Sequence, residues 1–130
     1  MIKTLKQFDE VSNKCKEIFS AKLHDYGTAW RVLRPSSLTD QIFIKAQRIR
    51  SIDSKGTSKV NEGIIPEFIG IVNYSVMALI QLELGSSFDI NMNADKVIEL
   101  YNKYIAQAKS LMENKNHDYS EAWRDMRISS

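Results

Sequence analysis

A single cysteine, Cys15, leaves this sequence of 130 residues without a disulfide framework or a Cys-based zinc site, which fits a reducing compartment. Long runs of one charge sign are also missing. The 18 Lys and Arg residues are mostly interleaved with 16 Asp and Glu, and the formal charge of +2 argues against a nucleic-acid partner. So weak a basic balance still suits an anion the size of a nucleotide. The opening Met1-Ile2-Lys3-Thr4-Leu5-Lys6 lacks the apolar stretch of a secretory signal. The most apolar region, residues 64–84, is interrupted by Pro66, Glu67, Asn73, Gln81 and Glu83, which suits a buried helix better than a membrane span. These absences predict a soluble, cytoplasmic protein with no membrane partner. Strand alternation of useful length is absent as well, so the expected fold class is all-α, a bundle of about four to six helices.

The apolar periodicity places those helices. Leu5, Phe8, Val11, Cys15, Ile18 and Phe19 recur at intervals of three and four, predicting a helix over about 5–23. A short helix over about 28–34 follows, with Pro35 as its stop. The next spans about 38–52, with Ser37 as cap, Asp40 reaching back, and Leu38, Ile42, Ala46 and Ile49 inward. The polar stretch 53–59 reads as a flexible loop. A helix over about 66–84, with Pro66 in its first turn and Gly85 past its end, is apolar almost all round and should be the central one. After a second loop at 86–93, a last long helix runs from Ala94 to about Asn114.

The sequence repeats itself. Lys22-Leu23-His24-Asp25-Tyr26-Gly27-Thr28-Ala29-Trp30-Arg31 returns as Lys115-Asn116-His117-Asp118-Tyr119-Ser120-Glu121-Ala122-Trp123-Arg124. The match continues through Arg34 with Arg127 and Ser36-Ser37 with Ser129-Ser130. It also runs backwards, pairing the apolar positions of the first helix with Ile98, Tyr101, Tyr104, Ala108, Leu111 and Met112 without a gap. The expected organisation is one complete module over 1–85 and the beginning of a second over 93–130, packed on the first as one domain. The second copy stops where the first begins its third helix, which reads as a fragment of a longer protein. Apolar surface left open at the C-terminal side then favours association between copies of the chain.

Within the repeated motif, Asp25 and Asp118 stand where an N-cap belongs, Asp118 with Glu121 at capping-box spacing. Tyr26, Ala29, Trp30 and Leu33 fall at helical spacing, as do Tyr119, Ala122, Trp123 and Met126, which suits core as well as a stacking platform. Neither capping nor packing asks for His24, Arg31 and Arg34 to reappear as His117, Arg124 and Arg127. Arg31 and Arg34, three apart, would share a helix face and grip a phosphate or carboxylate, or else form a solvated charged face. His24 can serve as a ligand, an acid–base group or a partner for a helix-end carbonyl. Lys45 and Arg48 share a face of the third helix and can complete a phosphate pocket or simply solubilise it. Asn73, inside the most apolar helix, must either join helices by hydrogen bonds or face a ligand. Glu62 and Glu67 flank the start of that helix, where carboxylates suit its dipole.

Three blocks carry a family resemblance: Lys22-x-His24-Asp25-Tyr26-x-x-Ala29-Trp30-Arg31, Leu38-x-Asp40-Gln41-Ile42-x-Ile44-Lys45-Ala46-x-Arg48-Ile49 and Glu67-Phe68-Ile69-Gly70-Ile71-Val72-Asn73-Tyr74, with the recurrence at His117-Asp118-Tyr119. The chain resembles the bacterial family DUF1599, also called nucleotide-modification-associated domain 1. Members usually carry two full copies of the module. The resemblance implies a role in nucleotide metabolism. A more distant similarity is to all-α nucleoside triphosphate pyrophosphatases of the MazG and dimeric dUTPase kind, which hold Mg²⁺ with acids one helical turn apart. Here Glu67 is followed three residues later by Gly70, and Glu10, Glu17, Glu62 and Glu67 form no paired set. Two readings therefore stand. In one, the domain binds or hydrolyses a (deoxy)nucleotide: Arg31, Arg34, Lys45 and Arg48 hold phosphates, Asp25 and Glu67 bind Mg²⁺, Tyr26 or Trp30 stacks on the base, and Asn73 reads its edge. In the other, the chain is a non-catalytic helical binding or assembly module and the repeated motif a structural corner.

Overall fold

A computed structural model describes residues 2–55, 60–87 and 91–128, with side chains from residue 63 onward in the second stretch. Four α-helices are present among the described residues: α1 (Ile2–Tyr26), α2 (Pro35–Lys55), α3 (Val60–Leu84) and α4 (Ala94–Tyr119). Two single 3₁₀ turns, Ala29–Val32 and Ala122–Asp125, follow α1 and α4. The described residues contain no strand, as the missing period-2 pattern requires.

Each helix runs further than its apolar pattern. Pro35 does not stop a helix but starts α2, where its fixed φ and missing N–H suit the first turn. The Arg34 carbonyl accepts from the Ser37 and Leu38 amides, so Ser37 lies inside the helix rather than capping it. α2 continues through Asp53, Ser54 and Lys55, which were expected in a loop, while 56–59 lie outside the described residues. α3 starts at Val60, before Pro66, and Glu62's side chain is not among those described. Asn93 caps α4, its side chain accepting from the Lys96 amide at 3.2 Å. Gly27 and Gly85 end α1 and α3 in the left-handed conformation, φ +63° and +75°, their amides bonded back to the Leu23 and Gln81 carbonyls.

α2 lies antiparallel along α3: Lys45 meets Glu67, and Ile52 meets Gly63. α1 runs antiparallel to α4, with Asp9 against Lys109 and Phe19 stacked on Tyr101 at 4.6 Å between ring centroids. The core is Phe19, Val76, Ile80, Val97, Leu100 and Tyr101, where α1, α3 and α4 meet. Burying each such side chain contributes roughly 1.5–3 kcal/mol. At its centre the Tyr101 hydroxyl donates to Asn73 Oδ1 at 2.7 Å, and Asn73 Nδ2 donates to the Cys15 carbonyl at 3.1 Å. Asn73 thus ties three helices together.

α3 is not fully enclosed. α2 covers one side and α1 with α4 another, but Ile65, Phe68, Leu79 and Leu82 remain 40–68% exposed. By length and composition, Gly63–Leu84 is the one helix among the described residues apolar enough to cross a membrane, and only 17% of that stretch is buried. The expectation of a central, surrounded helix fails because no element among the described residues covers that side.

The two copies have the same backbone corner. Thr28 and Glu121 have φ, ψ of −111°, 35° and −108°, 43°; Leu33 and Met126 have −74°, 140° and −84°, 151°. Arg31 and Arg124 amides bond to the Thr28 and Glu121 carbonyls, both at 3.0 Å. Ser120, at φ +58°, repeats the positive φ that Gly27 has in the first copy. Burial does not repeat. Trp30 is half-buried against the core, whereas Trp123 is 46% exposed; Cys15 is buried but its counterpart Ala108 is exposed. Met126 and Ile128 beside Trp123 are exposed too, an open apolar patch after α4. The paired Ser129 and Ser130 lie outside the described residues.

Candidate functional site

The C-terminal half of α1 feeds its apolar face into the core, then turns at Gly27. That turn carries Trp30 back towards the middle of α3. Lys45 reaches across from α2. Between these three walls lies a cavity of about 340 Å³. Phe19, Tyr26, Trp30 and Tyr74 supply aromatic surface, Ile18, Leu23, Ile69 and Met77 aliphatic surface, and Lys22, Lys45 and Asn73 the polar groups. An apolar, aromatic hollow with a few convergent polar groups is the usual form of a small-molecule site.

Lys45 is held in place. Its Nζ lies 3.4 Å from Glu67 Oε2 and 5.8 Å from the centre of the Tyr74 ring, with only 20% of the side chain exposed. Its stem crosses α3 at Gly70, where a methyl group would stand 2.5 Å from Lys45 Cε. Only glycine permits that crossing. Arg48 Nη1 approaches the other Glu67 oxygen at 3.5 Å.

Tyr26, Trp30, Lys45 and Asn73, all singled out from sequence, therefore line one cavity. Asn73 comes to it with one N–H and one lone pair of its amide already engaged, so it joins helices as well as lining the cavity. Lys22 and Tyr74 were missed as site residues. Lys22 precedes Tyr26 by four residues on α1 and recurs as Lys115, a signal that was available.

The arginines correct the expectation most. Arg31 is buried at 6% exposure and its guanidinium points inward, donating to Gln81 Oε1 and to the Gly85 carbonyl at 2.9 Å. Gln81, 1% exposed, donates in turn to the Arg31 and Leu33 carbonyls at 2.9 and 2.6 Å. This latch fastens the first corner to the end of α3. Arg34 is exposed and does not share a helix face with Arg31, because the 3₁₀ turn ends at Val32 and Leu33 is extended. The second corner is fastened differently. Arg124 donates to Glu121 Oε2 at 2.8 Å, Thr4 Oγ1 at 2.8 Å and Gln7 Oε1 at 2.9 Å, and Thr4 donates to Glu121 Oε1. The Thr4 hydroxyl and Arg124 hold the Glu121 carboxyl below its ordinary range.

Asp25 and Asp118 are not N-caps: both lie in the last turns of α1 and α4. Asp25 is exposed beside His24, whose Nδ1 stands 3.3 Å from its carboxylate rather than on a helix-end carbonyl. Tyr26 and Tyr119 are 76% and 68% exposed and so do not belong to a core stripe. Among the described residues no group of three or more His, Cys, Asp or Glu converges as a metal site, and Glu67 already faces two cations.

The segment from Lys22 through α3 holds nearly the whole cavity, and it is this segment that matches a known family. Residues 22–82 match the model of the family DUF1599, nucleotide modification associated domain 1. All of the cavity lining except Ile18 and Phe19 falls within the matched segment, and the second corner falls outside it. No curated protein and no solved structure matches the chain.

Proposed function

We propose that the DUF1599 cavity binds a nucleotide, with the base between Tyr26 and Trp30 and the phosphates at Lys22 and Lys45. The observation that carries this reading is the convergence of two aromatic rings and two lysines on one hollow of about 340 Å³. Stacking a base on an aromatic ring contributes about 1–3 kcal/mol and tolerates any base. An ammonium on a phosphate adds a charge-assisted hydrogen bond. The family's description, with its reference to nucleotide modification, points the same way. Mg²⁺ would enter with a triphosphate, and Asp25 and Glu67 remain the acids proposed to meet it. With no cluster of acids among the described residues, binding is the better-supported activity and hydrolysis the lesser one.

The test uses Trp30 as its own reporter in a Trp123→Phe background. Nucleoside mono- and triphosphates, with and without Mg²⁺, should quench its fluorescence saturably, and Lys45→Met should weaken triphosphate binding about tenfold or more. Absence of quenching by every nucleotide at millimolar concentration would end the proposal. The latches at Arg31 and Arg124 favour a second reading of the repeated motif itself, as a structural corner that positions helices and does no chemistry.

A further inference from the structure

The exposed residues of α3 are not scattered. Ile65, Phe68, Val72, Ser75, Leu79 and Leu82 follow one another at intervals of three, four, three, four and three, the spacing of a coiled-coil seam. Ile65, Phe68, Leu79 and Leu82 are 52, 40, 41 and 68% exposed, and Val72 and Ser75 are half-buried. The opposite face of the helix, through Pro66, Ile69, Gly70, Asn73 and Met77, lines the cavity, so the two surfaces share no residue. Nor does the seam carry charge. α3 has no Lys or Arg, Glu67 is turned to α2, and Glu83 is bound by Lys103 and Tyr104 of α4. A solvated helix face of this length would be expected to carry charged side chains.

The total surface points the same way. The chain exposes 8984 Å². A compact monomer of 14.9 kDa exposes about 7,000 Å², so the excess is roughly 2,000 Å². A stable dimer takes about 800 Å² from each partner. The exposed apolar residues of the seam contribute to this excess, as do those around Trp123.

We propose that α3 packs against α3 of a second copy of this chain, seam to seam, as a two-fold dimer. This interface is distinct from the C-terminal one expected from sequence and does not depend on the nucleotide reading. Ser75, the one polar residue in the seam, is its weakest apolar contact.

Light scattering after gel filtration of the 130-residue chain should give twice the monomer mass of 14.9 kDa at about 100 µM. Leu79→Glu and Leu82→Glu, both at exposed positions, should each give a monomer with unchanged helical circular dichroism. Ser75→Leu should tighten the dimer, a gain that misfolding cannot imitate. A wild-type monomer at this concentration overturns the proposal, as does a dimer that survives both Glu variants, which would assign association to another face. A chain that stays monomeric in solution but sediments with phospholipid vesicles overturns it in favour of a lipid partner.

Discussion

Replacing Arg31 by methionine isolates what the buried guanidinium does, because methionine keeps the unbranched stem and deletes the donors. Gln81 Oε1, 1% exposed as part of its residue, loses a charged donor, and the Gly85 carbonyl loses another. A buried acceptor left unsatisfied costs about 1–3 kcal/mol, and relief of the guanidinium's own desolvation offsets part of this. The expected net loss is about 2 kcal/mol. Unfolding entropy of about 2.1 cal/mol/K per residue gives roughly 270 cal/mol/K for this chain, so Tm should fall by about 7 °C. The matched control is Arg124→Met, the same motif position in the second copy. Gln7 is exposed, Glu121 is partly exposed and the buried Thr4 keeps Glu121 as its own acceptor, so the loss should stay under about 1 kcal/mol, or about 4 °C. Scanning calorimetry of both variants decides the matter. Equal shifts would refute the latch, and an Arg31→Met variant that kept its Tm but lost nucleotide-dependent quenching would return Arg31 to the phosphate site.

Gly70→Ala should push the end of Lys45 off its crossing point, which a flexible side chain can yield cheaply; triphosphate binding should fall several-fold in the fluorescence titration while Tm moves little. Ser120→Gly should stabilise the chain by about 1 kcal/mol, because φ +58° with ψ −151° is a region that only glycine enters freely; an unchanged or lower Tm would contradict this. Glu121's carboxyl is depressed, so its contribution is present above its ordinary value of 4.5 and lost as pH falls through the lower folded value. Arg124 stands 4.5 Å from the centre of the Trp123 ring, so Trp123 emission in a Trp30→Phe chain should change over that acid range and stay flat from pH 5 to 7.

The sequence pattern revealed the corner more fully than its chemistry. Repetition alone placed two equivalent turns after two long helices, and the dihedral angles agree within 11° at each flanking residue. It misplaced Asp25 and Asp118 because an acid before a short helix resembles a cap, while the decisive signal was Gly27 one residue past Tyr26, the left-handed stop of α1. Arg31 and Arg34 were paired on the assumption of an α-helical turn. In a 3₁₀ turn followed by an extended residue the second arginine leaves that face. The cavity was half legible. Tyr26, Trp30 and Lys45 announced themselves by type, but Lys45's path depends on Gly70, a residue that carries no side chain to be noticed. For α3, an apolar surface all round reads as burial, and periodicity cannot tell a neighbour in the same chain from one outside it.

The bonds that pin the second corner to α1, from Thr4 and Gln7 to Glu121 and Arg124, join residues 117 to 120 positions apart; the Gln7 bond faces water and the two at Thr4 are part-buried. Closing so long a loop early in folding costs chain entropy that a few side-chain contacts do not offset. The corner should therefore be assembled last and released first, with amide exchange from 120–126 running ahead of the helices it caps. The two ends of the molecule would then come apart without disturbing the cavity, leaving a locally frayed state that retains the segment matched by the family model.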